Sequence, residues 1–258
     1  MINLEKVYQN LLEKHMPRTI CYRHPTLDLV FYPHQKCASS TYRKLFEFQN
    51  WLVIDVNDID WTRDKVFAHI RDPLVRHRKG VVEDIVDVAK ISPQVMEFFL
   101  TPAGAKFLTV ITIVEYHCHT IEKRFGHTNA SLINWIPIDT NLDHVEITFE
   151  FLKKNGAPVA DNVKQQFLLT PNANTSTVTE LKLYNMLMAE PTPGEILRYI
   201  DFDRCLYAEV LNFYGFEPHN YRDRVEQLKN GGLTESEAQA TADQEVVSGE
   251  YLKWNFNA

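Results

Sequence analysis

Lys36 stands in a run of small and hydroxyl-bearing residues, Cys37, Ala38, Ser39, Ser40 and Thr41, within the segment VFYPHQKCASSTYRKLF from Val30 to Phe46. Lysine is a compact cation on a flexible stem. Serine and threonine hydroxyls donate hydrogen bonds, and small side chains let a ligand approach the backbone. Such a set suits an anion, above all a phosphate, if it lies where a helix begins, because a helix start presents unpaired N–H groups and about half a positive charge. A second set lies in VFAHIRDPLVRHRKG, Val66 to Gly80: Arg71, Asp72 and Pro73, then Arg76, Arg78 and Lys79. Arginine grips phosphate through two parallel bonds. The third set is VEYHCHTIEKRFG, which gathers Glu115, His117 and His119. His119 is the candidate general base, with His117 behind it and Asp55 as a third choice. His117, Cys118 and His119 are adjacent, so their side chains diverge, and no second ligand pair accompanies them; no metal is expected.

These residues need elements to position them. LDLVFY (Leu27 to Tyr32) reads as a buried strand, and from Ser40 the spacing of Tyr42, Leu45, Phe46 and Gln49 predicts a helix. WLVID (Trp51 to Asp55), KVFAHI (Lys65 to Ile70) and LINWIPID (Leu132 to Asp139) read as further strands. Pro73 stops the third strand and suits the first turn of the next helix, with Asp72 as its cap. A mostly helical stretch follows, broken at SPQ and TPAG. Later helices are marked by Val145, Phe149 and Leu152, closed by Gly156; by Leu181, Tyr184, Leu187 and Met188; and by Leu206, Val210, Phe213 and Tyr214. Strands alternating with helices predict an α/β fold of three layers, a mostly parallel central sheet flanked by helices. In such a sheet the loop after Tyr32 and the residues from Arg71 onward leave from the carboxyl edge, where ligands of open α/β folds bind. The bland alternative for both is a Ser/Thr helix cap beside a solvated lysine, and an exposed basic helix start.

At these residues the chain resembles the sulfotransferase family, in a soluble member of bacterial or viral type. QKCASSTYRKL is similar to the family's 5′-phosphosulfate loop, Pro-Lys-x-(Gly/Ala)-(Ser/Thr/Cys)-(Ser/Thr), and HIRDPLVRHRKG resembles its 3′-phosphate element, Arg-Asp-Pro-x-x-Arg-x-x-Ser. NANTST (Asn172 to Thr177), FLKKNG and YIDFDRCLYAEVLNFYGF resemble later parts of the family, so the likeness runs from about Leu27 to Phe216. The resemblance implies a P-loop-like sulfotransferase fold and a co-substrate, 3′-phosphoadenosine 5′-phosphosulfate (PAPS), whose sulfuryl group passes to a hydroxyl or amine of a small molecule or glycan. It implies that Lys36 contacts the 5′-phosphosulfate and its bridging oxygen, that Cys37, Ala38, Ser39, Ser40 and Thr41 cradle that group, and that Arg71, with Lys79, meets the 3′-phosphate. Two positions depart from the pattern: Lys79 replaces the family's serine, and Gln35 stands where a proline normally precedes the lysine. A phosphoryl transferase on a similar loop remains an alternative, although G-x-x-x-x-G-K-[ST] is absent. So does a non-catalytic binding or assembly protein of the same fold.

The 258 residues suit one large domain with appendages, drawn as 1–220, including an N-terminal helix over 1–16, and a polar helical arm over 221–258. That arm, with Gly231-Gly232 as its hinge and Thr234 and Glu237 at capping-box spacing, is a candidate contact for a homo-oligomer. A net charge of −7 argues against nucleic acid as partner, since phosphate neutralisation needs a basic surface. The longest apolar run, FLTVITIV, is too short to span a bilayer. Four cysteines without a spacing pattern, and no export signal, predict reduced thiols and a cytoplasmic location.

Overall fold

The computed structural model describes residues 20–91, 93–109, 118–138, 143–169, 177–189, 194–215 and 221–247. The helix expected over 1–16 lies outside them. Strand β1 (Ile20–Arg23) turns through residues 24–28 into β2 (Leu29–Tyr32), which is followed by helix α1 (Ser39–Phe48) and β3 (Leu52–Asp55). Strand β4 (Lys65–Arg71) leads into α2 (Pro73–Ile91), α3 (Pro93–Phe99) and α4 (Pro102–Thr109). Helix α5 (Ile121–Leu132), β5 (Asn134–Ile138), α6 (His144–Lys154) and α7 (Asp161–Leu169) come next. Helices α8 (Val178–Ala189), α9 (Gly194–Tyr199), α10 (Asp201–Phe213), α11 (Tyr221–Asn230) and α12 (Glu235–Val247) complete the described chain.

The five strands form one sheet in the order β3-β1-β2-β4-β5. The α/β class stands, but the sheet is mixed rather than mostly parallel. Strands β2, β4 and β5 run parallel, while β1 is antiparallel to both of its neighbours, β2 and β3. Strand β1 was not expected from the sequence. Its four residues, ICYR, are too few to show a period, and its short link to β2 permits only an antiparallel pairing.

Side-chain alternation along the strands sorts the core into two layers. Val30 and Tyr32 of β2, Val66, Ala68 and Ile70 of β4, and Trp135 face one cluster. There they meet Ile121, Phe125 and Ala130 of α5 and Tyr207, Ala208 and Leu211 of α10. Leu29, Phe31, Phe67 and Ile136 face the other, with Tyr42, Leu45 and Phe46 of α1 and Phe149 and Leu152 of α6. A satellite cluster joins α2, α3, α4 and α8 through Val81, Val82, Ile85, Phe99, Leu108, Leu183 and Leu187.

The C-terminal pair α11 and α12 is tied by Arg224, which donates from Nε and Nη2 to Glu245 at 2.9 and 2.8 Å. Between them Gly232 takes φ 102°, a left-handed angle that suits glycine. Thr234 and Glu237 form the reciprocal capping box: the Thr234 N–H donates to Glu237 at 2.9 Å and the Glu237 N–H to the Thr234 hydroxyl at 3.4 Å. Val225, Ala238 and Ala242 are buried in the same cluster as Tyr207 and Ala208. No helix among the described residues is long and apolar enough to cross a membrane.

Candidate functional site at the carboxyl rim of β2 and β4

Strands β2 and β4 are adjacent and parallel, with Tyr32 paired to Ala68. The loop after β2 and the residues that end β4 therefore leave the sheet on one rim. Between Tyr32 and α1 the chain folds tightly: the His34 N–H donates to the Tyr32 carbonyl at 2.9 Å and the Cys37 N–H to the His34 carbonyl at 3.3 Å. Lys36 and Ala38 both hold left-handed backbone, φ 62° and 54°, a conformation that costs a non-glycine residue about 1 kcal/mol or more. Ala38 is the N-cap of α1, its methyl side chain makes no cap hydrogen bond, and no acidic residue lies in the first turn.

The small-residue run is sorted by burial. The Cys37 side chain is fully inside and Ser39 nearly so, whereas Ser40 and Thr41 are half-exposed. Burial pushes the Cys37 thiol up, and the Arg71 backbone N–H donates to its sulfur. That contact fastens the loop directly to the end of β4, and it leaves Cys37 only its backbone for a ligand. Lys36 reaches the other way, to the Glu83 carboxylate on α2, with 15% of its side chain exposed. Lys36, Cys37 and Arg71 thus share the rim.

Arg71 is half-exposed at the last position of β4. Asp72 caps α2 as expected, accepting the Val75 N–H at 2.9 Å, with Pro73 as the first helical residue. Lys79 lies over the Tyr184 ring, Nζ 5.6 Å from the centroid. Burial, and then the Arg71 charge, lower its pKa, so the two cations neighbour one another. The exposed basic helix start is not what forms: Arg76 and Arg78 are each 1% exposed. Arg76 is held by Asp203 of α10 at 3.2 Å. The basic residues from Arg71 to Lys79 thus divide into rim groups, Arg71 and Lys79, and interior groups, Arg76 and Arg78.

His119 precedes α5, whose N-cap Thr120 accepts the Lys123 N–H at 3.1 Å. Asp203 accepts the Ile121 N–H at 2.7 Å and so fixes this segment to α10 and, through Arg76, to α2. His119 is 8% exposed, and its Nδ1 is buried without a hydrogen-bond partner among the described residues. Burial pushes its pKa down to about 4, helped by the charges of Lys123, Arg124 and Arg76. Its neighbour Cys118 lies 3.7 Å from the Asp84 carboxylate and from the His77 carbonyl, and feels the Lys36 charge. The 118–120 segment therefore runs beside the part of α2 that carries Glu83. Glu115, His117 and residues 172–176 of the NANTST stretch lie outside the described residues. Asp55 caps the short 3-10 turn that follows β3, accepting the Asn57 N–H at 3.0 Å, and β3 stands two strands away from β4's neighbour β2. It is a structural cap.

Three histidines at this rim went unselected in the sequence. His34, two residues before Lys36, is fully buried against Phe125 and Trp135, and neither ring nitrogen has a partner among the described residues. Burial holds it well below the ordinary range, with Arg76 and Arg124 adding to the effect. His69 stacks on Tyr42 at 4.0 Å and shares a hydrogen bond with Thr148 at 2.9 Å. His144 meets the Tyr42 hydroxyl at 2.9 Å and feels the Arg71 charge. His34 and His69 lie inside the two segments singled out by sequence, so their strand-end position was the available signal. His144 begins α6, far along the chain, and nothing local marks it.

A groove of about 1500 Å³ lies elsewhere, along the edge strand β5 between α6 and α10, and is lined by Lys65, Asn134, Trp135, Phe151, Phe202 and Phe213 among others. Lys65 opens β4 and Arg71 ends it, so the groove mouth and the cationic rim are separated by the length of that strand, roughly 20 Å at 3.3 Å per residue. The groove holds lysines too, Lys65, Lys153 and Lys154, but beside the carboxylates Glu146, Glu150 and Glu209, whereas Lys36, Arg71 and Lys79 and the buried imidazoles of His34 and His119 gather at the rim. Compared with known protein families, with curated proteins and with solved structures, the chain matches none.

Proposed function

We propose that this chain is a sulfotransferase that takes PAPS as co-substrate and passes its sulfuryl group to a hydroxyl of a small molecule or glycan. The observation that carries the reading is the meeting of the Lys36 loop with Arg71 and Lys79 at one sheet rim, beside the start of a helix whose N-cap is an alanine. Two separated cationic elements suit a ligand with two separated phosphates. The α1 amides, Ser40 and Thr41 would take the 5′-phosphosulfate and Arg71 the 3′-phosphate, with Lys79 in place of a hydroxyl.

In the transfer, the acceptor oxygen attacks sulfur in line as the bond from sulfur to the bridging phosphate oxygen breaks. The leaving phosphate gains negative charge, which Lys36 would offset. The acceptor's proton goes to a neutral base, and His119 is neutral at pH 7 with a buried nitrogen that has no partner among the described residues. A base held near pKa 4 is weak in the empty site, but an incoming polyanion would raise it towards the working range.

Calorimetric titration with adenosine 3′,5′-bisphosphate in the absence of magnesium tests the reading, followed by transfer from PAPS to a panel of hydroxyl acceptors. Binding without metal is expected. Binding of ATP alone, and only with magnesium, would move the assignment to phosphoryl transfer, and no heat with either nucleotide at millimolar concentration would leave a non-catalytic protein of this fold.

A further inference from the structure

The Lys36–Glu83 ion pair joins the loop after β2 to the third turn of α2. Only 15% of the Lys36 side chain and 36% of the Glu83 side chain are exposed, so the pair is far less screened than one standing in open solvent. Lys36 stands two residues before the N-cap of α1, which is an alanine, and the first turn of that helix has no acidic residue of its own. Glu83 is thus a carboxylate brought by α2 to a place where α1 supplies none. Lys79, one turn earlier on α2, points to Tyr184.

We propose that Glu83 is a built-in competitor for the ligand anion: it occupies Lys36 in the empty site and must release it when a phosphosulfate or phosphate binds. This rests on the anion-site reading above and adds a regulatory residue to it. The argument is electrostatic. A phosphoryl or sulfuryl group seated at the α1 amides would share Lys36 with a carboxylate of like charge. Repulsion in a partly buried site weakens binding by whatever the rearrangement costs. The left-handed backbone at Lys36 fixes where its side chain starts, so Lys36 and Glu83 meet without a long search. A ligand therefore binds only when it interacts with Lys36 more strongly than Glu83 does. That requirement would select a polyanion over a single weak anion, and would keep Lys36 masked between turnovers.

Glu83→Gln keeps the size and removes the charge. Two readouts test it. The first needs no ligand: acylation of the intact chain with an amine-reactive acetylating reagent, followed by peptide mass mapping of Lys36. Faster modification of Lys36 in Glu83→Gln than in the unaltered chain is expected, with Lys229 as internal reference. The second is titration with adenosine 3′,5′-bisphosphate at low salt. About tenfold tighter binding by Glu83→Gln is expected, a typical size for a coupling of this kind. Glu122→Gln, which removes an exposed carboxylate bonded to His127, serves as control and should leave binding unchanged. Glu83→Asp, which draws the carboxylate back, provides a second variant should the glutamine fold poorly, and should shift both readouts in the same direction.

Unchanged or slower Lys36 acylation overturns the masking, whatever the nucleotide does. Bisphosphate binding that is equal or weaker in Glu83→Gln overturns the competition and makes Glu83 a positioning residue for Lys36. Faster acylation with no bisphosphate binding in either chain leaves Lys36 masked but removes the nucleotide reading itself, so the two failures are distinct.

Discussion

The Arg76 guanidinium and the Asp203 carboxylate meet 3.2 Å apart with no more than 1% of either side chain exposed. The second Asp203 oxygen accepts the Ile121 N–H at 2.7 Å, so one carboxylate joins α2, α5 and α10 behind the rim. Burial raises the Asp203 pKa to about 6 even with Arg76 beside it, so desolvation outweighs the ion pair. Breaking such a pair by deleting one partner leaves the other charge buried and uncompensated. Asp203→Ala is therefore expected to lower the unfolding free energy by about 3–5 kcal/mol. The double substitution Arg76→Met, Asp203→Leu should lose less than Asp203→Ala alone, because it leaves no orphan charge. Urea unfolding followed by circular dichroism measures both; an Asp203→Ala loss under 1 kcal/mol would show that the network is not what joins the three helices.

Arg71 and Lys79 are neighbours of like charge, and each needs an anion more than it needs the other. Arg71→Ala should abolish most of the melting-temperature rise given by adenosine 3′,5′-bisphosphate, with little change in the melting temperature of the empty chain. Arg71→Lys should recover only part of it, since a lysine cannot make two parallel bonds to one phosphate. Lys79→Ser tests whether the cation stands in for the hydroxyl of the resembled pattern, and a partial loss is expected. Differential scanning fluorimetry across a ligand series reads all three. An undiminished rise in Arg71→Ala would take the 3′-phosphate away from this residue.

Much of the fold can be read from local pattern. The strands at Leu29–Tyr32, Lys65–Arg71 and Asn134–Ile138 are buried on both faces and show as apolar runs, and α1, α6 and α10 show their 3.6 period. The rim follows from parallel pairing alone. Three things do not follow. Strand β1 is defined by its partners rather than by its own four residues, so the mixed sheet is a tertiary fact. The burial of Arg76, which parts it from Arg71 and Lys79, depends on Asp203, more than 120 positions later in the chain. Glu83 looks like any helix-surface acid until the Lys36 loop is folded against it.

The C-terminal helices carry a prediction of their own. Ala238 and Ala242 are fully buried in the cluster that contains Tyr207, Ala208 and Leu211 of α10. A charge placed there cannot reach water without parting α12 from α10. Ala242→Glu should therefore lower stability by more than 2 kcal/mol. Deletion of residues 231–258 should likewise lower the melting temperature of the whole domain rather than remove an independent arm. A deletion that leaves the melting curve unchanged would show α12 to be dispensable to the core.

Three rim histidines set the acid limit of stability. Burial holds His34 and His69 well below the ordinary 6.5, and His119 is pushed down to about 4. The unfolded chain binds protons at these residues from about pH 6.5 downward, while the folded chain refuses them. Their stabilising contribution is therefore complete above pH 6.5 and is lost as the pH falls towards 4. Asp203 acts in the opposite sense: with its pKa raised from 3.8 to about 6, its contribution is complete below 3.8 and is lost as the pH rises through 6. The three histidines outweigh the one carboxyl, so stability falls as the pH drops from 6 to 4.5, and His119, pushed down to about 4, stays mostly unprotonated in the folded chain through that window and contributes beside the other two. Urea midpoints at half-unit pH steps give the slope directly. His34→Leu removes one of the two deeply buried imidazoles, along with two buried nitrogens that have no partner among the described residues, and should flatten the slope while holding or raising stability at pH 5. Stability that stays level from pH 7 to 4.5 would mean that these rings are already protonated, or paired, in the folded protein.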